Sequence, residues 1–392
     1  MTLSILPANR LRSVQEYYFS TKLKEIAQMN KEGKDVISLG IGMPDLPPSE
    51  ATISALAADA QKLNVHGYQS YNGIPELRQA FAQWYQQWYH VPLNPDREIL
   101  PLMGSKEGIL HVSLAFLNPG DAVLVPNPGY PTYASISKLV EAEIVYYDLD
   151  ERNRWYPDFD ALERMDLSRV KLMWVNYPNM PTGAPATELL FDRLIDFGRK
   201  HGILICNDNP YSFILNDRPI SILSRKNAME GCLELNSMSK SHNMSGWRIG
   251  MLAGNEQFVE WVLRVKSNID SGMFHSLQMA AVEALHNDRE WHRKFNIEVY
   301  AKRRLIAEKI IKALHCTFDS FQTGMFLWAK IPENYLDARE LADEILYQAH
   351  VFVTPGFIFG SNGNRYIRIS LCSTEEMMQQ ALDRILLMKR AM

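Results

Sequence analysis

The chain has 392 residues, of which 46% are hydrophobic and 22% charged, and its formal net charge is −4. This balance is typical of a globular protein with a large apolar core, and so small a net charge argues against a nucleic-acid or membrane-surface partner. The four cysteines form no CxxC pair, which argues against a disulfide framework or a structural metal site, and no run of about 18 apolar residues predicts a membrane-spanning helix. The N-terminal segment does not resemble a signal peptide, so we expect a cytoplasmic protein.

In chain order, the first clear helical patterns cover Leu77–Tyr89 and Leu110–Phe116. Short apolar runs rich in β-forming residues follow, with helical patterns between them: Ala122–Val125, Ile144–Tyr147, Leu172–Val175, Ile203–Cys206 and Leu233–Leu235. Continuous apolar strands that alternate with helices predict an α/β fold, with a mostly parallel central sheet covered by helices on both faces.

The C-terminal part has a different pattern. A long helical stretch from Asp288 to Leu314 precedes strand-like pieces at Met325–Ile331 and Tyr366–Leu371, and a helix follows Thr374. This order predicts a smaller α+β domain. We therefore expect an N-terminal arm that joins the smaller domain at residues 1–49, a large domain at 50–285 and a small C-terminal domain at 286–392.

Polar side chains follow several of the predicted strands, namely Asn127, Asn176, Asp208 and Ser237. In an open α/β sheet, ligands bind beyond the carboxyl ends of the strands, so these residues predict a site at that edge. Each of them could instead cap a helix or form a turn.

Lys240 lies in the segment SMSKSHNMSGWRIG, residues 237–250, directly after an apolar run. Most lysines are solvated surface residues, but this one is surrounded by small side chains. A lysine whose pKa is lowered can bond covalently to an aldehyde, and Ser237 and Arg248 could both reach a phosphate group.

A second candidate for phosphate binding is the segment GSKEG, residues 104–108, which follows an apolar run and opens a helix. Small residues at a helix N-terminus present main-chain N–H groups to an anion, although glycine and serine also cap many helices. The segment adds Ser105 and Lys106 to the candidates, and Lys106 is equally well explained as a solvated residue of the first turn.

Together and in this order, these segments resemble the motifs of the fold type I aminotransferases, which depend on pyridoxal 5'-phosphate (PLP). The further matching segments are GIGMPD (40–45), YQSYNG (68–73), NPGYPTY (127–133), NYPNMPTG (176–183), CNDNPY (206–211) and YIRIS (366–370). The resemblance runs from about residue 36 to about residue 372, and the shared order makes a chance match very improbable. It is strongest toward members that act on LL-diaminopimelate or aspartate.

The resemblance implies a set of catalytic and cofactor-binding residues. Lys240 would bond to PLP and transfer protons, Asp208 would pair with the pyridine nitrogen, and Tyr211 would donate to the O3' oxygen. Tyr130 would stack on the ring and Asn176 would contact the cofactor, while the phosphate would bind Ser105, Ser237, Arg248 and, from the partner subunit of a homodimer, Tyr68.

It also implies how the substrate binds. Arg368 would hold the α-carboxylate, because a planar guanidinium can bind a carboxylate with two hydrogen bonds. Gly42 would lie in a loop that closes over the substrate. Lys106 would lie beside the cofactor and the distal carboxylate of an acidic substrate such as glutamate, aspartate or LL-diaminopimelate.

The segment NYPNMPTG departs from the family at Met180, where an asparagine normally donates to O3'. A thioether cannot donate a hydrogen bond, so that contact is expected to be lost unless Asn179 or a water molecule replaces it.

The expected activity is a ping-pong exchange of an amino group between an amino acid and a 2-oxo acid. The main alternative is a C–S β-lyase on the same fold, which would release ammonia and pyruvate from cystathionine without an oxo-acid acceptor. A non-catalytic binding module is disfavoured because Lys240, Asp208, Tyr211 and Arg368 are all present.

Overall fold

A computed structural model of the chain describes residues 5–13, 18–286 and 288–391. The described strands are β1 (Ile37–Ser38), β2 (Ile99–Leu102), β3 (Ala122–Asn127), β4 (Glu143–Asp148), β5 (Val170–Val175), β6 (Leu204–Asp208), β7 (Cys232–Ser237), β8 (Gly250–Gly254), β9 (Phe326–Lys330), β10 (Val351–Phe352), β11 (Thr354–Pro355) and β12 (Tyr366–Ser370). The described α-helices are α1 (Tyr18–Lys31), α2 (Glu50–Asp59), α3 (Pro75–Tyr89), α4 (Ser105–Phe116), α5 (Pro131–Leu139), α6 (Phe159–Glu163), α7 (Glu188–His201), α8 (Met238–Ser241), α9 (Glu256–Lys266), α10 (His275–His286), α11 (Asp288–Trp291), α12 (Tyr300–Ala313), α13 (Ala338–Glu344) and α14 (Glu375–Ala391). Within these ranges, no helix is both long and apolar enough to cross a lipid bilayer.

The central sheet has seven strands in the order β2-β8-β7-β6-β5-β3-β4. Its neighbouring strands from β7 to β4 are parallel, and β8 alone runs antiparallel to both of its neighbours. The short segment 238–249 between β7 and β8 contains no crossover helix of the length that a parallel connection needs, so the chain returns antiparallel. The predicted mostly parallel α/β sheet is confirmed, and β8 is an addition to it.

Both faces of the sheet are buried. Along β5, Met173 and Val175 belong to the larger apolar cluster, whereas Leu172 and Trp174 belong to a second cluster on the opposite face. This alternation is what a strand between two helical layers requires. The four cysteines are free thiols and all are buried.

The C-terminal part forms a three-stranded antiparallel sheet in the order β11-β12-β9, packed with α12 and α13, and α14 packs on α12. The larger apolar cluster includes residues of both sheets. The helical stretch predicted from Asp288 to Leu314 is divided by a π-helical segment, His292–Val299, between α11 and α12. A second π-helical segment, Ile345–Ala349, follows α13. The domain boundaries given above stay a prediction.

Candidate active site

A cavity of about 540 Å³ opens beyond the carboxyl ends of β6 and β7. Apart from Tyr68 and Asn127, every site residue predicted from the sequence lines it: Gly42, Ser105, Lys106, Tyr130, Asn176, Asp208, Tyr211, Ser237, Lys240, Arg248 and Arg368. The cavity therefore brings together residues from segments that are more than 300 positions apart in the chain.

Lys240 is carried by α8, the short helix that follows β7. Ser237 caps this helix, because its hydroxyl accepts a hydrogen bond of 3.2 Å from the main-chain nitrogen of Ser239. The Lys240 ammonium donates to the main-chain oxygen of Gly42. Burial lowers the pKa of Lys240, and the nearby guanidinium groups of Arg368 and Arg248 act in the same direction.

Asp208 ends β6 and is almost completely buried. The Tyr133 hydroxyl donates to its Oδ2 at 3.0 Å, whereas Oδ1 accepts no hydrogen bond from any described residue. Burial raises the pKa of Asp208 to about 7, because the carboxylate loses its hydration. A buried carboxylate with an unused oxygen is suited to a cationic partner.

An anion seat lies at the N-terminus of α4, beside Arg248. The guanidinium donates to the Ser239 hydroxyl at 3.2 Å and to the Ser245 main-chain oxygen at 2.8 Å. Gly104 precedes the helix with φ of +85°, and a Cβ there would lie 2.2 Å from Arg248 Nη2. Ser105 is buried, and its hydroxyl lies near enough to Asp208 to lower the pKa of that carboxyl, but it makes no hydrogen bond of normal geometry to any described residue. The helix N-terminus, this hydroxyl and the guanidinium suit a phosphate group.

Arg368 on β12 forms another wall of the cavity. Its Nη2 donates to the Gly40 main-chain oxygen at 2.8 Å, and its Nη1 lies 3.2 Å from the sulfur of Met180. The guanidinium carbon lies 3.9 Å from the centre of the Phe326 ring and 4.7 Å from that of Phe359. These contacts fix the plane of a buried guanidinium that lines the cavity.

The aromatic and amide residues differ in what they offer to a ligand. Burial raises the pKa of both Tyr211 and Tyr130, so both phenols stay protonated at neutral pH. Asn176 uses its amide inside the protein: Nδ2 donates to the Asp208 main-chain oxygen and Oδ1 accepts from the Met180 nitrogen at 2.7 Å. Its observed contacts hold the ends of two neighbouring loops.

Two predicted residues lie at or beyond the edge of the cavity. Lys106 lines it but is exposed to solvent. Tyr68 is 94% exposed and does not line it. Within one chain, the structure therefore does not bring Tyr68 to the other site residues.

Sequence reasoning missed several residues that line the cavity. Tyr133 lies in the segment NPGYPTY, in which the resemblance assigns a role only to the first aromatic residue, Tyr130. Phe19 and Leu23 on α1 also line the cavity. Their spacing of four places both on one helix face, a signal that was available in the sequence. Phe326 and Phe359 had no signal beyond ordinary apolar strand and loop positions.

The chain matches the family model for aminotransferase class I and II over residues 34–385. The chain belongs to this family. Among its curated relatives, LL-diaminopimelate aminotransferases from Dehalococcoides mccartyi (strain 195) and Halothermothrix orenii are 40% and 39% identical over 380 residues, which is 96% of this chain and 97% of each relative. The class I and II aminotransferase described here is thus a PLP-dependent enzyme that transfers amino groups.

Solved structures of other proteins share the fold. Substrate-bound BacF from Bacillus subtilis superposes with a TM-score of 0.93 at 34% identity, covering 98% of both chains. A probable N-succinyldiaminopimelate aminotransferase from Thermus thermophilus gives a TM-score of 0.88 at 32% identity, covering 94% of this chain and 99% of that one. The predicted family, fold class, activity and cofactor are confirmed.

The residues of this aminotransferase fit PLP. The unused Oδ1 of Asp208 can accept from a protonated pyridine nitrogen, and the unused hydroxyl of Ser105 can donate to a phosphate. Gly104 leaves the space that lets Arg248 approach the helix N-terminus. Lys240 lines the same cavity as these groups, so one ligand can contact all of them.

Proposed function

We propose that this aminotransferase acts on amino acids with a distal carboxylate and on 2-oxo acids, as a cytoplasmic homodimer with shared sites. The observation that carries the proposal is a single cavity that holds a partly buried lysine, a buried aspartate, a fixed guanidinium and an exposed ammonium group. The first three suit the exchange of an amino group, and the fourth suits an acidic side chain.

Lys240 is the proposed proton carrier. Its pKa is lowered by burial, which increases the fraction of neutral amine at physiological pH. A neutral amine at Nζ can accept the proton from the substrate Cα and return it to an acceptor position nearby. The hydrogen bond to the Gly42 oxygen keeps Nζ at the face of the cavity where the proposed substrate loop lies.

PLP supplies an electron sink for the electron pair that remains when the Cα–H bond breaks. Asp208 is the residue proposed to hold a proton on the pyridine nitrogen. A cation beside this carboxylate favours its charged form, which reverses the effect of burial on its pKa. Tyr133 keeps the carboxylate oriented by donating to Oδ2.

Arg368 is proposed to bind the α-carboxylate of the substrate. A thioether is a weak hydrogen-bond acceptor, so the contact between Nη1 and the sulfur of Met180 is displaced by a carboxylate at little cost. The bond from Nη2 to the Gly40 oxygen and the Phe326 ring then hold the guanidinium plane in place.

Lys106 is proposed to bind a distal carboxylate. It is an exposed ammonium group at the rim of the cavity, so an acidic side chain can reach it without burying either charge completely. The relatives named for LL-diaminopimelate support this assignment, because that amino acid carries a second carboxylate.

Donor preference tests the proposed substrate class. With a 2-oxo acid acceptor, we expect Lys106→Ala to lower kcat/KM for aspartate, glutamate or LL-diaminopimelate by about tenfold, as expected for one lost charged hydrogen bond, and to leave alanine nearly unchanged. The matched control is Lys138→Ala, which removes an exposed lysine of α5 that does not line the cavity. Equal losses for acidic donors and for alanine would return Lys106 to a solvated role.

The shared site of the proposed homodimer rests on the loop that carries Tyr68. Lys266 is buried, pairs with Asp270 at 2.9 Å and donates to the Tyr71 main-chain oxygen at 2.9 Å. The loop is therefore anchored, while the Tyr68 ring extends into solvent. An anchored loop with an exposed aromatic ring suits a contact with a second copy of the chain.

A further inference from the structure

Asn296 contacts two loops, although it belongs to no recognised motif. One is the β7–β8 connection, which includes α8 and Lys240, and the other follows β6 and carries Tyr211. Asn296 lies in the π-helical segment His292–Val299, is completely buried and does not line the cavity. A π-helical segment is rare and is often found at functional sites.

The side chain of Asn296 holds the turn that carries Lys240. Its Nδ2 donates to the main-chain oxygen of Ser241, the residue after Lys240, at 2.8 Å. The same oxygen accepts a second hydrogen bond of 2.8 Å from Nε1 of Trp291. Two N–H groups, one from the π-helical segment and one from the end of α11, therefore fix the last peptide group of α8.

The main chain of Asn296 holds the loop after Tyr211. Its carbonyl oxygen accepts from the nitrogen of Leu215 at 3.0 Å. Leu215 has φ of +49°, a left-handed conformation that a leucine keeps only when its surroundings hold it there. One residue therefore bonds to both loops, through different atoms.

A buried hydrogen-bond chain sets the orientation of the Asn296 amide. Nδ2 lies 2.6 Å from Nδ1 of His292, and Nε2 of His292 lies 3.1 Å from Oδ2 of Asp288. That carboxylate also accepts from Nε1 of Trp88 at 2.9 Å and from Trp84. Because Asp288 accepts from Nε2, His292 carries its proton on Nε2 and accepts at Nδ1. The Asn296 amide therefore donates one N–H to His292 and the other to the main-chain oxygen of Ser241.

We infer that Asn296 is a positioning residue, which fixes the Lys240 amine relative to the Tyr211 phenol through the two loops that it joins. This inference rests on the proposed roles of Lys240 and Tyr211. Reacting groups must be held close to their productive geometry, and an error of about 1 Å can cost as much as a hundredfold in rate. Asn296 acts from outside the cavity and touches neither substrate nor cofactor.

The test compares Asn296→Ala with wild type in the full-length protein. We expect kcat, and the rate at which apoenzyme and PLP form a bond that borohydride can trap, to fall by about tenfold or more. KM for the amino donor should change by less than about twofold, because the groups proposed to bind the donor are intact. Main-chain amide exchange should accelerate in residues 211–216 and 238–244 only.

Gln322→Ala is the matched control, because Gln322 is also a buried amide and bonds to both main-chain groups of Trp328 at 2.9 and 2.8 Å. It should lower stability without changing kcat or the rate of PLP attachment. If Asn296→Ala fails to fold, Trp291→Phe removes the second donor to Ser241 and should produce the same changes on a smaller scale.

The inference is overturned if the folded variants match Gln322→Ala in kcat, attachment rate and amide exchange. Lys240→Ala separates this failure from that of the proposed function. If borohydride still traps PLP on Lys240→Ala, the assignment of Lys240 is wrong. If trapping is lost there but Asn296→Ala behaves as the control, only the positioning role is wrong.

Discussion

At the scale of single residues, Asp208 connects function with stability. Its pKa is raised to about 7 in the folded protein by burial, so the folded apoenzyme binds a proton more strongly than the unfolded chain does. The stronger proton binding stabilises the folded apoenzyme relative to the unfolded chain. This stabilisation is complete at low pH and is lost as the pH rises through about 7. The carboxylate that is proposed to serve the cofactor therefore weakens the cofactor-free fold at neutral pH.

The first prediction concerns Asp208→Asn, which cannot titrate. Between about pH 5 and about pH 8 the wild-type apoenzyme should lose on the order of 2–3 kcal/mol of unfolding free energy through this group. Asp208→Asn should not lose this free energy, so its stability relative to wild type should rise as the pH rises. The variant should also be inactive. Urea unfolding of both apoproteins at both pH values measures this. Asp160→Asn, an exposed control, should show the same difference from wild type at each pH.

A second prediction concerns Lys240. Lys240→Ala should abolish turnover but still bind PLP without a covalent bond, because the phosphate seat and Asp208 are separate from the amine. Borohydride followed by peptide mapping should attach PLP to Lys240 in wild type and in Lys106→Ala, but to no residue of Lys240→Ala. Labelling of another lysine in that variant would show that the cofactor lysine was misassigned.

At the scale of elements, the N-terminus of α4 depends on a glycine. Gly104 has φ of +85°, and a Cβ there would collide with Arg248 Nη2 at 2.2 Å. Gly120 has nearly the same φ, +88°, but no atom lies within 4 Å of a Cβ built there. Comparing an alanine substitution at each glycine therefore separates the effect of backbone strain from that of the collision with Arg248.

The third prediction uses that pair. Gly104→Ala and Gly120→Ala should both lose stability, each by about 1–3 kcal/mol, from the unfavourable φ. Only Gly104→Ala should also raise the PLP dissociation constant, by about tenfold or more, because Arg248 is displaced from a charged hydrogen bond to phosphate. Fluorescence titration of the apoproteins with PLP measures this. Equal dissociation constants would show that the guanidinium moves aside without cost.

The elements that were predicted correctly are those with a strong local signal. Strand β3 begins with the apolar run AVLV and β5 ends with LMWV, and such runs are typical of strands buried on both faces. Strand β8 was missed because GMLAG contains two glycines and no β-branched residue, so its pairing is determined by its neighbours in the sheet. The π-helical segment of Asn296 was missed because its hydrogen bonds to Ser241 and Leu215 are not encoded in helical periodicity.

The same distinction applies to the site. Lys240, Asp208 and Arg368 could be predicted because each lies in a motif that resembles a family. Phe326 could not be assigned to the cavity, because its position comes from the packing of distant segments. Tyr133 lies in a recognised motif, but its bond to Asp208 joins residues that are 75 positions apart. The contact of Met180 with Arg368 was also unforeseen. The sequence suggested only that a donor to the cofactor was missing at that position.

At the scale of the whole molecule, the fourth prediction tests the shared site. Tyr68→Phe and Lys240→Ala homodimers should both be nearly inactive. After random exchange of subunits, half of the dimers carry both variants and each has one intact site, so about a quarter of wild-type activity should return. Mixing two samples of the same variant is the control. Activity that elutes with a monomer on a sizing column would contradict the shared site.

The four buried cysteines give the molecule a built-in reporter of unfolding. Burial raises the pKa of each thiol, for Cys316 to about 12, so almost no reactive thiolate exists in the folded protein. Cys206 and Cys232 belong to the central sheet, whereas Cys316 and Cys372 lie in the C-terminal part. Because one apolar cluster spans both sheets, we expect all four thiols to become open to alkylation in a single urea transition. Release of one pair before the other would instead identify two independently unfolding domains, with the boundary between Cys232 and Cys316.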